Sequence, residues 1–106
     1  GVAIRVPTPN VSVVDLTFES SKSTTENEIN SYIENASLND LKGILGFTKE
    51  KLVSMDFNHD PHSSIFAADQ TKVLQNNMVR VLSWYDNEWG FSNRMSDTAL
   101  EMAKFL

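Results

Sequence analysis

Two polar residues near opposite ends of the chain carry functional groups suited to ligand binding. The guanidinium of Arg5 offers a fixed fork of donors that matches phosphate. The amide of Asn87 has a donor and an acceptor, so it can read a carboxamide through paired hydrogen bonds. Each also has a purely structural interpretation, Arg5 as a surface or ion-paired residue on a strand and Asn87 as a helix cap. The nearby aromatic residues are typical of a core or an interface, namely Trp84, Trp89 and Phe91.

The stretch "DFNHDPHSS" at 56–64 resembles a metal site only in part. Its first acids and amide have calcium-loop spacing, but proline takes the sixth position and alanine the twelfth, where glycine and glutamate are required. His59 and His62 are separated by Pro61, which favours a loop, and no further ligand pair completes a zinc set. We therefore predict no metal site.

Composition excludes several functional classes. Nine basic residues against fourteen acidic ones give a net charge of -5, which disfavours binding to nucleic acid. Without cysteine the chain has no disulfide, no thiolate ligand and no cysteine nucleophile. No apolar run is long enough for a signal peptide or a membrane span, so we expect a cytoplasmic setting. The start on Gly1, directly followed by a strand-like pattern, predicts a piece of a longer protein.

The N-terminal pattern predicts one long, bent strand. In "GVAIRV" the apolar residues Val2, Ile4 and Val6 alternate with Ala3 and Arg5, as in a half-buried strand whose Arg5 points away from the aliphatic face. The prolines of "PTPN" at 7–10 interrupt the hydrogen bonding, and "VSVVDLTF" resumes the extended pattern.

A helix follows, because Thr25 and Glu28 have capping-box spacing ahead of an apolar stripe at Ile29, Tyr32, Ile33 and Ala36. "SLNDLKG" predicts a short helical turn closed by Gly43, with extended pieces at "ILGF" and "LVSMDF". "HSSIFA", "TKVL" and "MVRVLSWY" read as strands, the last two joined by a tight turn with positive φ at Asn76 and Asn77. A second stripe predicts a final helix from about Gly90, formed by Phe91, Met95, Ala99 and Met102. The predicted fold class is α+β, one mainly antiparallel sheet covered by helices.

Four blocks resemble phosphorylating glyceraldehyde-3-phosphate dehydrogenase: "RVPTPNVSVVDL" at 5–16, "LKGILGFT" at 41–48, "VSMDFNHDPHSS" at 53–64 and "LSWYDNEWGFSNRMSDTA" at 82–99. They span essentially the whole chain, in order. The resemblance implies that 1–106 is the C-terminal portion of the catalytic domain, a mixed, mainly antiparallel sheet with helices on one face. The family's Rossmann domain, which binds NAD, and its segment with the catalytic cysteine and histidine are absent from this chain. It therefore holds no catalytic residue and is expected to be inactive alone.

The resemblance also implies a reaction and its partners. The intact enzyme would convert glyceraldehyde 3-phosphate, NAD and inorganic phosphate to 1,3-bisphosphoglycerate and NADH through a cysteine thioester, as a cytoplasmic homotetramer. Arg5 would bind phosphate groups of the substrate and of inorganic phosphate. Asn87 would contact the nicotinamide carboxamide, and Phe91, where many members have tyrosine, would contribute more weakly to the cofactor site. The polar residues after 85 would then lie between the sheet and the final helix, with Trp84 and Trp89 as walls.

Two alternatives remain open. "NHDPHS" and Phe91 also occur in the sister enzyme erythrose-4-phosphate dehydrogenase, whereas "TPN" and "WYDNEWG" favour the triose enzyme. The second alternative is a non-enzymatic function, in which the chain is a folded, non-catalytic fragment that serves only as an assembly module.

Overall fold

A six-stranded mixed sheet forms the centre of the computed structural model, which describes residues 1–106. The strands are β1 (Val2–Ile4), β2 (Ser12–Glu19), β3 (Leu45–Thr48), β4 (Ser64–Ala67), β5 (Lys72–Leu74) and β6 (Met78–Tyr85). The α-helices are α1 (Glu26–Leu38) and α2 (Trp89–Ala103), and short 3-10 helices lie at Ser54–Phe57 and Ala68–Gln70. The α+β prediction is confirmed.

The strand β6 lies at the middle of the sheet. It pairs with β2 along its whole length on one side, from Ser12 opposite Tyr85 to Glu19 opposite Met78, and with both β4 and β5 on the other. The sheet order is β1-β2-β6-β4-β3, and only β3 and β4 are parallel. The C-terminal end of β6 is thus held from both sides at the point where Asn87 follows it.

The N-terminal segment differs from the single bent strand predicted for it. β1 and β2 are separate strands that pair antiparallel, with Val2 opposite Asp15 and Ile4 opposite Val13. Two prolines without N–H groups end the first strand, and the chain turns back in the connecting loop 5–11. The face expected to be half-buried is exposed along β1, and Arg5 lies in the loop just beyond the strand.

The first helix begins as predicted, at a capping box. The Glu28 amide donates to Thr25 Oγ1 (3.2 Å), and the Thr25 amide donates to Glu28 Oε2 (3.0 Å). The apolar stripe is only partly confirmed, because Tyr32 is exposed whereas its other members are half-buried. The following turn contains Gly43 at φ +78°, a left-handed conformation that favours glycine.

Two local predictions need correction. The segment "LVSMDF" contains a 3-10 helix rather than an extended piece, because Asp56 accepts the Val53 amide (2.7 Å) and closes the turn. The β5–β6 hairpin is confirmed, but its positive φ angles fall on Gln75 and Asn76, one residue earlier than predicted.

A small apolar cluster packs under the end of β6. It contains Val11, Phe57 and Ile65, with Leu52 and Trp84 packed against it. The ring centroids of Phe57 and Trp84 are 5.6 Å apart, and the rings stack.

The final helix is confirmed, although all four residues of its predicted apolar stripe are exposed in this chain. Neither α-helix has the length and apolar character needed to cross a bilayer.

Candidate functional site

The residues between β6 and α2 form the centre of a polar junction with loop 5–11. Asp86 and Asn87 directly follow β6. Asp86 accepts a hydrogen bond from Asn10 near the end of that loop, and Asn87 accepts one from Ser12 at the start of β2. The bonded pairs are 76 and 75 positions apart in the sequence. The antiparallel pairing of β2 with β6 brings them together, because Ser12 lies opposite Tyr85.

Asp86 is the most heavily bonded side chain of the junction. It is 4% exposed, and its carboxylate accepts four hydrogen bonds. Asn10 Nδ2 (2.7 Å) and the His59 amide (2.9 Å) donate to Oδ2, and the amides of Glu88 (3.1 Å) and Trp89 (2.8 Å) donate to Oδ1. One carboxylate therefore joins three chain segments.

The same contacts set the ionisation of Asp86. Burial, the largest single influence, raises the pKa, but the hydrogen bonds from Trp89, His59, Glu88 and Asn10 together outweigh it. The pKa of Asp86 consequently lies below its ordinary value of 3.8. The group is an anion at neutral pH, at the positive end of the α2 dipole.

Asn87 does not cap α2, so its structural interpretation as a helix cap is wrong. Glu88 occupies the N-cap position without a side-chain cap bond, and Asp86 satisfies the first amides. The Asn87 side chain instead accepts a hydrogen bond at Oδ1 from Ser12 Oγ (2.7 Å). Asn87 Nδ2 donates to no acceptor within the chain, which leaves that donor for a ligand.

Val11 lies between Asn10 and Ser12, the two residues that reach this junction, and its backbone is strained. Its φ is +74°, a conformation costly for a β-branched residue. Val11 is nevertheless 4% exposed and packs in the apolar cluster. Its burial compensates for the strained turn, which directs Asn10 toward Asp86 and Ser12 toward Asn87.

Arg5 and Phe91, the other residues expected at a site, lie on the two segments that meet at the junction, Arg5 at the start of loop 5–11 and Phe91 in the first turn of α2. The Arg5 side chain is exposed and makes no hydrogen bond or ion pair within the chain, so its donors are available to an anion. Phe91 is the third residue of α2, 68% exposed and without an aromatic partner. The fold brings the loop that carries Arg5 against the segment that carries Asn87, without a hydrogen bond between these two side chains.

The two tryptophans expected as walls have different surroundings. Trp84 belongs to the apolar cluster under β6, where it stacks on Phe57, and so has a core role. Trp89 is partly exposed and stacks on the ring of His59 (4.5 Å between centroids). Only Trp89 therefore borders the junction with an accessible face.

The residues of the "DFNHDPHSS" stretch have separate partners. His62 Nδ1 lies 2.6 Å from Asp60 Oδ1, and Asn58 Oδ1 accepts from Asn10 Nδ2 (3.0 Å). The structure contains no group of three or more histidine, aspartate or glutamate side chains placed to hold a metal ion. Within this stretch, the His59 amide donates to Asp86.

Sequence reasoning missed Asn10, Ser12 and Asp86. Asp86 had a local signal, because an aspartate just before a helix often accepts hydrogen bonds from the first amides of that helix. The cap interpretation was assigned to the adjacent Asn87 instead. Asn10 and Ser12 had no comparable signal, since their partners lie on a distant strand.

Gly90 fixes how closely α2 approaches this junction. A Cβ atom there would lie 2.5 Å from the carbonyl oxygen of His62, which is backbone and cannot turn away. We expect Gly90→Ala to destabilise the protein by about 1 to 3 kcal/mol through overpacking. Denaturant unfolding of wild type and of Gly90→Ala measures this loss. Ser92→Ala, at an exposed position of the same helix, is the control. Equal unfolding midpoints for Gly90→Ala and Ser92→Ala would contradict the close contact.

Comparison with known proteins identifies close relatives. Residues 1–87 match the family model described as glyceraldehyde 3-phosphate dehydrogenase, C-terminal domain. The chain is 67% identical over 106 residues to glyceraldehyde-3-phosphate dehydrogenase of Cereibacter sphaeroides, covering 100% of this chain and 32% of that protein. It is 64% identical over 104 residues to the Xanthobacter flavus protein of the same name, covering 98% of this chain and 31% of the relative. The chain thus spans about a third of the length of these relatives.

Proposed function

Because the chain belongs to the glyceraldehyde-3-phosphate dehydrogenase family, we propose that the protein containing it is an NAD-dependent, phosphorylating aldehyde dehydrogenase. Its substrates are glyceraldehyde 3-phosphate and inorganic phosphate, its product is 1,3-bisphosphoglycerate, and it works in glycolysis. The observation that carries this proposal is the hydrogen-bonded junction that holds the loop bearing Arg5 against the segment bearing Asn87.

The residues of the junction fit the nicotinamide end of NAD. A carboxamide has one acceptor oxygen and one NH2 donor, and Asn87 offers a free Nδ2 donor on a half-buried side chain. Asn87 would hold the carboxamide, and Phe91 would add an aromatic ring nearby. When bound, NAD supplies the acceptor for the hydride removed from the aldehyde carbon.

Arg5 has the role of an anion site. Its guanidinium is exposed and unpaired, and a planar fork of donors binds phosphate in a bidentate manner. It binds a phosphate group of the triose substrate and of the inorganic phosphate that releases the acyl product. The cysteine nucleophile that forms the thioester, and its histidine base, belong to the upstream part of the catalytic domain, after a Rossmann domain. A thioester divides oxidation and phosphorylation into two easier steps.

Residues 1–106 are the C-terminal portion of this catalytic domain, and alone they are inactive, since they contain no cysteine. The protein is a cytoplasmic homotetramer. Apolar side chains are exposed on both faces of the β1–β2 pair and support association, because exposed apolar surface marks protein contacts. These residues are Val2, Ile4, Leu16 and Phe18.

A spectrophotometric assay of the full-length protein tests the function. With NAD, glyceraldehyde 3-phosphate and phosphate we expect NADH formation, and omission of phosphate should abolish sustained turnover. A kcat/KM higher with erythrose 4-phosphate than with the triose would assign the sister activity instead. Complete inactivity with both sugars, together with cooperative unfolding of the isolated chain 1–106, would favour the assembly module.

A further inference from the structure

We propose that Ser12 is a positioning residue that sets the orientation of the Asn87 amide and thereby selects which atom of a ligand Asn87 can bind. Because Ser12 holds Oδ1 on its own side, the Asn87 amide is oriented with Nδ2, a donor, free for the ligand. The ligand group at this point must be an acceptor, which for a nicotinamide is the carboxamide oxygen and not its NH2. The inference rests on the proposed function of Asn87.

The Ser12 hydrogen bond has the geometry of a specific contact. Ser12 Oγ donates to Asn87 Oδ1 over 2.7 Å, a typical length for an O–H···O hydrogen bond. Ser12 is 2% exposed, so water cannot readily replace its hydroxyl. Breaking this bond would leave a buried hydroxyl without its partner.

The backbone around Ser12 keeps the hydroxyl in place. Ser12 is the first residue of β2, paired with Tyr85 of β6, and the preceding residue Val11 is held at positive φ by its burial in the apolar cluster. On the other side, Asp86 anchors the backbone directly before Asn87. Both ends of the Ser12–Asn87 bond are therefore fixed before a ligand arrives.

Equilibrium binding to the full-length protein, measured by calorimetry, tests this inference. The ligands are NAD, 3-acetylpyridine adenine dinucleotide, which keeps the carbonyl oxygen but replaces NH2 by methyl, and ADP-ribose, which lacks the ring. The variants are Ser12→Ala, Ser12→Thr and Asn87→Ala. The matched control is Ser83→Ala, which removes a hydroxyl from β6 on the same sheet face, opposite Val14, where the hydroxyl makes no side-chain hydrogen bond.

We expect Ser12→Ala to weaken NAD binding by about 3- to 10-fold, the effect of one hydrogen bond, because the freed amide no longer presents its donor consistently. ADP-ribose affinity should not change, which also reports an intact fold, and Ser12→Thr should restore most of the loss. Asn87→Ala should weaken NAD and the acetylpyridine analogue by the same factor. Ser83→Ala should leave the affinity for all three ligands unchanged.

Three results would overturn the inference, and they can be separated. Equal effects of Ser12→Ala and Ser83→Ala would remove the role of Ser12 while leaving that of Asn87. A loss in Asn87→Ala confined to NAD would mean that Asn87 accepts from the ligand NH2. No loss for NAD in Asn87→Ala would remove the proposed function of Asn87 itself.

Discussion

Replacement of Arg5 by alanine is expected to lower kcat/KM of the full-length enzyme for glyceraldehyde 3-phosphate by about 10- to 100-fold, the worth of a charge-assisted hydrogen bond. The physical reason is that this guanidinium has no partner in the chain, so its donors are free for a phosphate group. The affinity for NAD should change little, because the loss is confined to the anion. Steady-state kinetics with varied triose and varied inorganic phosphate, together with calorimetric NAD binding, measure both effects.

Two further variants separate geometry from charge. Arg5→Lys keeps the charge but loses the planar fork, and should fall between wild type and Arg5→Ala. Lys42→Ala removes an exposed positive charge from the turn before β3 and should leave the kinetics unchanged. Unchanged kinetics in Arg5→Ala, or an equal loss in Lys42→Ala, would remove the anion site from Arg5.

Replacement of Asp86 by asparagine should open the start of α2. The substitution leaves one acceptor oxygen where the carboxylate had two, and brings an NH2 group against amides that donate. We expect a local loss of about 2 to 3 kcal/mol, seen as about 30- to 150-fold faster hydrogen exchange over 86–95. Glu88→Gln, which also removes one acidic charge beside α2, is the control. Equal exchange in the two variants would show that Asp86 does not hold the junction.

The stabilising effect of Asp86 should also depend on pH. Its pKa is lowered in the folded protein, so the unfolded protein binds a proton more readily as the pH falls. The advantage of wild type over Asp86→Asn should be complete above the ordinary value of 3.8 and should decrease as the pH falls through the folded pKa. Urea midpoints of both proteins between pH 7 and pH 3 measure this. A difference that stays constant to the lowest pH, or that decreases at higher pH, would contradict it.

The elements that could be predicted from the sequence are those with local signals. The capping box at Thr25 and Glu28 is a contact between residues three apart, and the β5–β6 hairpin depends on a short turn. The two prolines before Val11 predicted an interruption of the strand, as observed. No local signal showed whether the chain would bend within one strand or reverse direction to form a second strand. That outcome depends on the pairing of β1 with β2.

Of the candidate site, only the residues proposed to contact ligands could be predicted from the sequence. Arg5 and Asn87 were found from side-chain chemistry and from long motifs, which carry family information. The residues that orient them depend on contacts across the sheet, and the positive φ of Val11 has no signature in a β-branched residue type. The packing of Trp84 in the apolar cluster likewise depends on pairing across the sheet, where it lies opposite Val13 and Ile65.

The most direct test of the account is a crystal structure of the full-length enzyme with NAD and inorganic phosphate. We expect Asn87 Nδ2 within about 3 Å of the carboxamide oxygen, with Ser12 still bonded to Asn87 Oδ1, and a phosphate ion within hydrogen-bonding distance of Arg5. A nicotinamide ring bound away from the junction of loop 5–11 with Asp86 and Asn87, or a phosphate that does not contact Arg5, would contradict it.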